Sequence, residues 1–498
     1  MGGSPSLPQS GEPAGRRKSA PPATPLYKRL PHGPHRIPRN KIIQNQRARI
    51  HGAMVEAVAR RGYERTSVKY VVGLAGVSRR SFYEHYANKE ECFLTSVDLV
   101  AAGVLKRTSE AYRAVDGTLK RRLRAAFEQF TKEIGSDPKG VSLVITEAPM
   151  AGAAGIQYLC RATGTFEQML LRSFAHAPEA NALPLPVIRG IVGGLHEMIS
   201  LRLSTGCAEE IPALTNELLR WTLLFETPAL GSLAERFRVN AGFTNGNSTN
   251  GHPANGNTLN GSSSNGHATN GQITNGHVLN GHVGGDTSHL DARGRLLECA
   301  LRLTVLEDYK DLSPLRIADE AGVSMDTFFD LFKDTQECFL AALDEMSDEL
   351  LWTTADLELV GEDWPRAVRK AIGALMRHLA EQPLHARMIA TGVYTSGPEV
   401  IERGRELTQE ITTLLTEGAP EGAGGMLALE GVTGAIWHTV RCRVASGQIH
   451  LLPAIADYLA YVVLAPFIGA EAAAEIVTEE QPEPAAGPTL IGGGGGVG

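Results

Sequence analysis

The 498-residue sequence has few cysteines, few aromatic side chains and no long apolar segment. Its six cysteines are scattered and form no CxxC pair, which argues against a disulfide framework or a zinc site and fits a reducing compartment. No uninterrupted apolar run reaches the roughly 18 residues of a membrane helix, so we expect no membrane span. The basic, Pro-rich N-terminus lacks the apolar core of a secretory signal. These absences predict a cytoplasmic protein.

The sequence also lacks the residue patterns of catalysis and of cofactor binding. It has no nucleophile–base pair, no metal-ligand spacing and no phosphate-binding loop, and the glycine run 492–496 has no flanking helix. We therefore predict that the protein is not an enzyme and needs no cofactor or metal.

Positive charge is concentrated at the N-terminal end, although the whole chain has a formal net charge of −7. Residues 1–40 hold seven basic side chains and one acid, and residues 41–95 hold ten basic and five acidic side chains. An anionic partner is therefore expected at this end of the chain only.

Composition divides the chain into ordered and low-complexity segments. Residues 1–40 are rich in Pro, Gly, Ser and Arg and predict a disordered basic arm. Residues 239–286 repeat Asn-Gly every five residues and predict a flexible linker, and residues 471–498 predict a disordered tail. The blocks 41–238 and 287–470 have helical periodicity with little strand-like alternation, which predicts an all-α fold.

The two helical blocks resemble each other. With a shift of 246 and no gap, thirteen of 48 positions are identical, and residues 75–78 meet the same four residue types at 321–324. Further along the shift becomes 241, which aligns Gly190 with Gly431. Two matches in the same order indicate an internal duplication.

Residues 41–95 contain the pattern of a helix-turn-helix. A first helix is predicted by an apolar stripe at helical spacing: Ile50, Ala53, Met54, Ala57 and Val58. Ser67 is placed to cap a second helix, Gly76 to form a tight turn and Ser78 to cap a third helix. Phe82 and Tyr86 lie four residues apart and are expected to face the core. The basic and polar side chains of the third helix then point outward, toward the major groove of DNA.

These outward side chains have the chemistry that DNA recognition needs. Arginine can fork onto O6 and N7 of guanine, as Arg79 and Arg80 could do. Tyr83, His85 and Lys89 are suited to contact phosphate oxygens. Such contacts position a protein on DNA without reading the base sequence.

The segment closely resembles the DNA-binding module of the tetracycline-repressor (TetR) family. The resemblance is carried by Gly62-Tyr63, Thr66-Ser67-Val68, 75–78, 82–86 and Lys89-Glu90. It implies base reading by 79–81 and backbone contacts by Tyr83, His85 and Lys89. The full set of predicted DNA-binding residues is Ser67, Lys69, Arg79, Arg80, Ser81, Tyr83, His85 and Lys89. The implied partner is a double-stranded DNA operator.

The second block keeps the residues that cap and pack these helices but not the basic residues on their outer face. Ser313, Ser324 and Phe328 retain the caps and the core position. The outward set has become Met325, Asp326, Thr327, Phe329 and Leu331. Across 286–340 there are six basic and twelve acidic side chains, a field that repels phosphates. We predict that 287–345 is a degenerate helix-turn-helix without DNA contact; weak reading within a complex is the alternative.

Residues 96–238 and 346–470 are predicted to be helical effector-binding and dimerisation domains. Residues 187–229 and 428–466 resemble the last two helices of the TetR family, which form its dimer interface; ordinary core helices are the alternative. The family usually binds a small effector between its helices. The candidate ligand-binding residues are Tyr158, Phe166, Met169, His196 and Trp437, with Met150, Phe174 and His438 beside them, and core packing is the alternative for each.

The resemblance therefore predicts two TetR-like units in one chain, acting as an effector-responsive repressor that reads DNA with the N-terminal unit. The expected effector is small and hydrophobic. We expect the two units to pair within the chain as a pseudo-dimer, and chains to form a homodimer as a way to regain affinity. The alternative function is a protein-interaction or small-molecule-sequestering module with a relic DNA-binding head.

Overall fold

The computed structural model describes residues 38–178, 180–228, 291–306, 312–355, 363–420 and 425–479. All regular elements in these ranges are helices, which confirms the predicted all-α fold. The predicted linker 239–286, residues 1–37 of the predicted arm and residues 480–498 lie outside the described residues.

The described part of the first block forms nine α-helices. They are α1 (Arg39–Arg61), α2 (Val68–Ala75), α3 (Arg79–Tyr83), α4 (Lys89–Arg113), α5 (Leu119–Ser136), α6 (Pro138–Ile145), α7 (Gly152–Ala175), α8 (Leu185–Ser204) and α9 (Thr215–Leu223). Short 3-10 helices cover Ala148–Ala151 and Ala208–Leu214.

The described part of the second block continues this order. Its helices are α10 (Ala292–Leu306), α11 (Pro314–Ala321), α12 (Met325–Leu331), α13 (Thr335–Ala355), α14 (Trp364–Glu381), α15 (Pro383–Arg387), α16 (Val393–Thr395), α17 (Pro398–Thr416), α18 (Gly425–Ala445), α19 (Ala456–Ile468) and α20 (Ala470–Thr478). A π-helical turn, Met388–Gly392, separates α15 from α16, and 3-10 helices cover Ile449–Leu451 and Pro453–Ile455.

Local capping produces the α2–turn–α3 unit as predicted. The Ser67 hydroxyl accepts the backbone N–H of Tyr70 at 3.3 Å, which begins α2. Gly76 ends α2 in the left-handed region at φ 60°, where a side chain would be strained. The Ser78 hydroxyl then accepts the N–H of Ser81 at 3.0 Å and begins α3.

The first head, α1 to α3 with the start of α4, has its own apolar core. The predicted stripe on α1 is entirely buried, as are Phe82, Tyr86 and Cys92. These side chains pack with Leu143 and Val144 of α6, so the head rests on the body through that helix.

The second head, α10 to α12 with the start of α13, repeats the same caps. Ser313 accepts the N–H of Arg316 at 3.2 Å, and Ser324 accepts that of Thr327 at 3.1 Å. Gly322 has φ 62°, close to the value at Gly76. Its buried residues, including Phe328 and Cys338, belong to the large core that runs through both bodies.

Glycine residues bring α8 and α18 into close contact. A Cβ at Gly193 would lie 2.5 Å from the carbonyl oxygen of Gly434, so the two backbones touch there. Around this contact the Trp221 ring packs on Gly431, and Val462 of α19 packs on Gly190. Small residues permit this approach, as the sequence predicted for these segments.

Two segments differ from the expectations. We predicted disorder from residue 471, but Ala470–Thr478 forms α20, and that part of the prediction is wrong. Alanine has the highest helix propensity, and Ala473, Ala474 and Val477 are buried against the preceding helices, which offsets the cost of ordering. At the other end, α1 already begins at Arg39, inside the predicted arm.

One helical segment, Ile449–Ile468, is long and apolar enough by composition to cross a membrane, with a mean hydropathy of 1.8. The search for uninterrupted apolar runs did not find this segment, because His450, Asp457 and two prolines interrupt it. Core helices of soluble proteins pass the same test, and 56% of its most apolar stretch is buried. The segment is therefore weak evidence for a membrane span.

Candidate nucleic-acid interface and effector cavities

The turn before α3 is held by an arginine of α1. Arg49 donates from Nη2 to the carbonyl oxygen of Gly76 at 2.6 Å and also to that of Ala75. In the second head Arg295 donates from Nε to the carbonyl of Ala321 at 3.1 Å. Sequence reasoning missed this clamp, although Arg49 and Arg295 are identical residues at equivalent positions of the repeat.

The outer face of α3 presents cationic and aromatic groups to solvent. Phe82 is completely buried beneath the helix, while Arg79 and Arg80 are exposed and Tyr83 is 52% exposed. Arg80 pairs with Glu84 at 3.2 Å, an exposed contact of little energy that DNA could replace. Among the residues that the structure describes, Arg79 has no hydrogen-bond or ion-pair partner. The exposed arginines lie in the first turn, the part of a recognition helix that reaches base edges.

The predicted serine contacts are already engaged in capping. Ser67 and Ser78 hold the starts of α2 and α3, and the Ser78 hydroxyl donates to that of Ser81 at 3.1 Å. Lys69, in the first turn of α2, is exposed. The two short helices therefore present their N-terminal turns with a cation on each.

Two of the predicted phosphate ligands also have partners inside the head. His85 Nε2 lies 3.1 Å from Gln46 Oε1, and burial together with nearby Arg47 lowers the pKa of His85. Lys89 donates from Nζ to the carbonyl of Tyr63 at 3.1 Å. An ammonium group has three donors, so Lys89 can keep this bond and still contact a phosphate.

A hydrogen-bonded chain joins α1 to α3 and α4 behind this face. The Tyr86 hydroxyl lies 2.7 Å from His51 Nε2, and His51 Nδ1 lies 2.8 Å from Ser96 Oγ. Burial and the neighbouring Arg47 lower the pKa of His51 to about 4, so its ring is neutral at pH 7. Sequence reasoning missed this hydrogen-bonded chain because its members are 35 and 45 residues apart.

The second head presents a different face at the equivalent positions. Asp326 and Asp330 are exposed on α12, beside Phe329 and Leu331, which are 55% and 40% exposed. Carboxylates and apolar groups offer phosphate oxygens no donor.

Comparison with known protein families gives a match in the first head. Residues 52–95 match the family model of bacterial regulatory proteins, tetR family. These residues form a TetR-family N-terminal domain. The match covers the end of α1, both helices of the helix-turn-helix and the start of α4. No curated protein matches the chain.

Solved structures of TetR-type regulators are similar to about a third of the chain. The fatty acid degradation regulator FadR from Bacillus halodurans is 17% identical over 36% of this chain and 94% of its own, with a TM-score of 0.33. FadR from Bacillus subtilis, solved in complex with stearoyl-CoA, is 18% identical over 35% and 96%, with a TM-score of 0.33. A TetR family regulator from Marinobacter aquaeolei VT8 is 18% identical over 36% and 97%, with a TM-score of 0.28.

Two cavities lie among the predicted effector residues. The smaller, about 100 Å³, is almost wholly apolar and is lined by Phe166 and His196 together with aliphatic side chains of α4, α6, α7 and α8. The larger, about 730 Å³, lies between α6, α8, α17 and α18 and is lined by Met150, His196 and Trp437. Tyr158 and Met169 line neither cavity, and Phe174 is fully buried in the core.

Several polar atoms around the larger cavity are left without partners. Among the described residues, Trp437 Nε1, His196 Nε2 and Arg441 Nε are buried and have no hydrogen-bond acceptor or donor. Such atoms cost free energy unless something satisfies them. Arg441 is held in place by a bond from Nη2 to the Tyr394 hydroxyl at 2.6 Å. Arg441 was not identified from the sequence, since one arginine on a helix carries no distinguishing pattern.

Proposed function

We propose that this protein is a sequence-specific DNA-binding transcriptional regulator that acts as an effector-responsive repressor in the cytoplasm. The observation that carries the proposal is the exposed pair Arg79 and Arg80 at the start of α3, within the segment that matches the TetR-family model. The Ser78 cap and the buried Phe82 fix the orientation of that helix. We also propose that this role involves no catalysis.

Selection of bound sites from a random DNA pool tests this function. The wild-type chain should enrich one motif, and Arg79→Ala should weaken and relax its recognition. Lys120→Ala, which removes an exposed cation on α5 of the body, is the matched control and should leave the motif unchanged. If no motif is enriched at any salt concentration, the chain is instead the interaction or sequestering module.

The effector site proposed here is the larger cavity. Its wall mixes apolar and polar side chains, which suits a molecule with a hydrophobic part and a polar group. The unpartnered nitrogen atoms of Trp437 and Arg441 favour an acceptor, such as a carboxylate, as that polar group. An effector acts only through its difference in affinity between the DNA-binding and released states.

A panel of aliphatic and aromatic carboxylic acids tests the cavity. An active member should release operator DNA from the wild-type chain. Trp437→Phe removes the N–H donor and keeps a smaller aromatic ring, so it should weaken binding of the acid without changing DNA affinity in the acid's absence. Equal potency on both proteins would place the effector elsewhere.

The third part of the proposal is that the halves are duplicated units paired as an intramolecular pseudo-dimer. Its support is a reciprocal set of contacts under the shift of 241. Gly193 meets its own equivalent Gly434, while Trp221 packs on Gly431 and the equivalent of Trp221, Val462, packs on Gly190. Such mutual contacts are what a two-fold axis produces.

Separate expression of the two halves tests the pairing. The separately expressed halves should associate with each other. For the full chain, light scattering measures the number of chains and footprinting measures the DNA covered. We expect either one chain on one half-site or two chains on a palindrome. Halves that form only their own homodimers would reject the pseudo-dimer.

A further inference from the structure

Four side chains with metal-binding atoms meet where α7 crosses α18. Cys160 Sγ lies 2.8 Å from Cys442 Sγ, and Cys442 Sγ lies 3.5 Å from His438 Nε2. His438 Nε2 lies 3.8 Å from Glu167 Oε1. His438 and Cys442 are four residues apart on α18 and so share a face, as do Cys160 and Glu167, two turns apart on α7.

The cluster is shielded from water. Glu167, His438 and Cys442 are buried, and Cys160 is half-buried at its edge. Burial of polar and ionisable groups is costly unless they are paired or coordinate a metal. Arg189 binds both oxygens of the Glu167 carboxylate, with Nη2 3.1 Å from Oε2 and Nε 3.2 Å from Oε1, and Oε1 also faces the histidine.

We propose that Cys160, Glu167, His438 and Cys442 bind one Zn²⁺ ion that ties the first half of the chain to the second. A tetrahedral zinc site with Cys, His and carboxylate ligands has ligand atoms about 3.3–3.8 Å apart. The Cys442–His438 and His438–Glu167 separations already lie in or near this range. The ligand atoms of Glu167, His438 and Cys442 all lie within 4.8 Å of one another, whereas Cys160 contacts only Cys442 of these three. To complete the site, Cys160 Sγ must move about 1 Å away from Cys442 Sγ and toward the other two ligands. Thiolate and imidazole ligands select zinc over magnesium or calcium.

Charge balance favours the same ion. Two thiolates and the Glu167 carboxylate carry three negative charges, which Zn²⁺ and the guanidinium of Arg189 together neutralise. All four ligand positions come from the protein, so the site is closed and structural. Such a site joins α7 to α18 independently of the DNA-binding surface.

A catalytic Cys–His–Glu arrangement does not fit this geometry. A general-base histidine uses one ring nitrogen for the nucleophile and the other for the orienting carboxylate. Here His438 directs Nε2 to both Cys442 and Glu167. One nitrogen facing a sulfur and a carboxylate together is compatible with a shared metal ion.

Two measurements on the full-length, untagged and reduced protein test the site: its zinc content and its absorption spectrum with Co²⁺ bound. Zinc should be present at one ion per chain. After chelation, Co²⁺ should restore the visible bands of a tetrahedral site and a sulfur-to-cobalt charge-transfer band. Cys160→Ser and Cys442→Ser should lose that band, while Cys207→Ser, a half-buried cysteine outside the cluster, should keep it. The separate group Glu349, His378 and His385 has no sulfur and cannot produce the band.

Alkylation of the wild-type chain keeps the test valid if a serine variant fails to fold. Zn²⁺ should slow iodoacetamide modification of Cys160 and leave Cys207 unaffected, as measured by peptide mass spectrometry. The proposal is overturned if reduced protein shows no sulfur–cobalt band, if both serine variants retain it, or if zinc leaves Cys160 unprotected. It is also overturned if Cys160 and Cys442 form a disulfide in air while the reduced pair takes up no metal.

Discussion

The two helix-turn-helix heads share a scaffold and differ in surface and setting. Both have a serine cap before each short helix, a left-handed glycine in the turn and an arginine clamp on the turn carbonyl. The first exposes arginines and has a core of its own, whereas the second exposes carboxylates and shares the body's core. The comparison teaches that the same backbone geometry can present cationic side chains on α3 and carboxylates on α12.

The largest expected effect comes from removing the buried phenylalanine of each head. Phe82→Ala and Phe328→Ala should each cost about 3–5 kcal/mol, because both rings are fully buried. Denaturant unfolding measures the loss, and a mobility shift measures DNA binding. Phe82→Ala should abolish binding, whereas Phe328→Ala should lower overall stability and spare binding in the molecules that remain folded. Loss of binding by a folded Phe328→Ala protein would contradict the assignment of DNA reading to the first head.

Removal of charged side chains from α3 and α12 should give the next largest difference, which is a difference in DNA affinity. Arg79→Ala or Arg80→Ala should weaken specific binding by about 1–3 kcal/mol if the side chain forks onto a base. Asp326→Ala and Asp330→Ala, on the equivalent helix, should change the affinity little. Fluorescence anisotropy with the selected operator compares the four proteins, and equal losses in all of them would show that both heads read DNA.

The half-buried His51 should make the first head sensitive to acid. Its pKa is lowered to about 4, so the neutral ring's contribution to stability is fully present above pH 6.5 and is lost as the pH falls from 6.5 toward 4. The expected loss is about 2 kcal/mol at pH 5. The second head has the buried Leu297 at the equivalent position, so His51→Leu copies that head.

Unfolding curves at pH 7 and pH 5 measure this difference. The wild-type chain should lose more stability on acidification than His51→Leu, whatever the variant's stability at pH 7. Parallel pH profiles would mean that His51 is protonated in the folded head at pH 5.

Removal of one helix cap in each head should give the smallest loss of stability. Ser78→Ala and Ser324→Ala each remove a bond to the N–H three residues on and should cost about 1 kcal/mol. Thermal unfolding should shift by similar amounts in the two variants. DNA affinity should fall only with Ser78→Ala, and a larger fall with Ser324→Ala would reverse the comparison.

Short-range rules explain how much of the heads was predictable. The α1 stripe, the Ser67 and Ser78 caps and the buried Phe82 all follow from residues within four positions of one another, and the structure has them as predicted. The helix Ala470–Thr478 was missed because its Ala/Glu composition was taken for disorder, whereas burial of one face orders it. The effector residues stay predictions: Phe166, His196 and Trp437 line a cavity, whereas Tyr158 and Met169 line neither of the two cavities described.

The sequence by itself determined the helical class and the basic face of α3, because periodicity and charge can be read from residues close together in the chain. Only the tertiary structure decided which side chains from distant helices meet. It brought Cys160 to Cys442, 282 positions away, and put Trp437 and His196 on the wall of one cavity. The physical reason is that a contact between helices depends on their crossing and rotation, which the packing of the whole core fixes and no local pattern encodes.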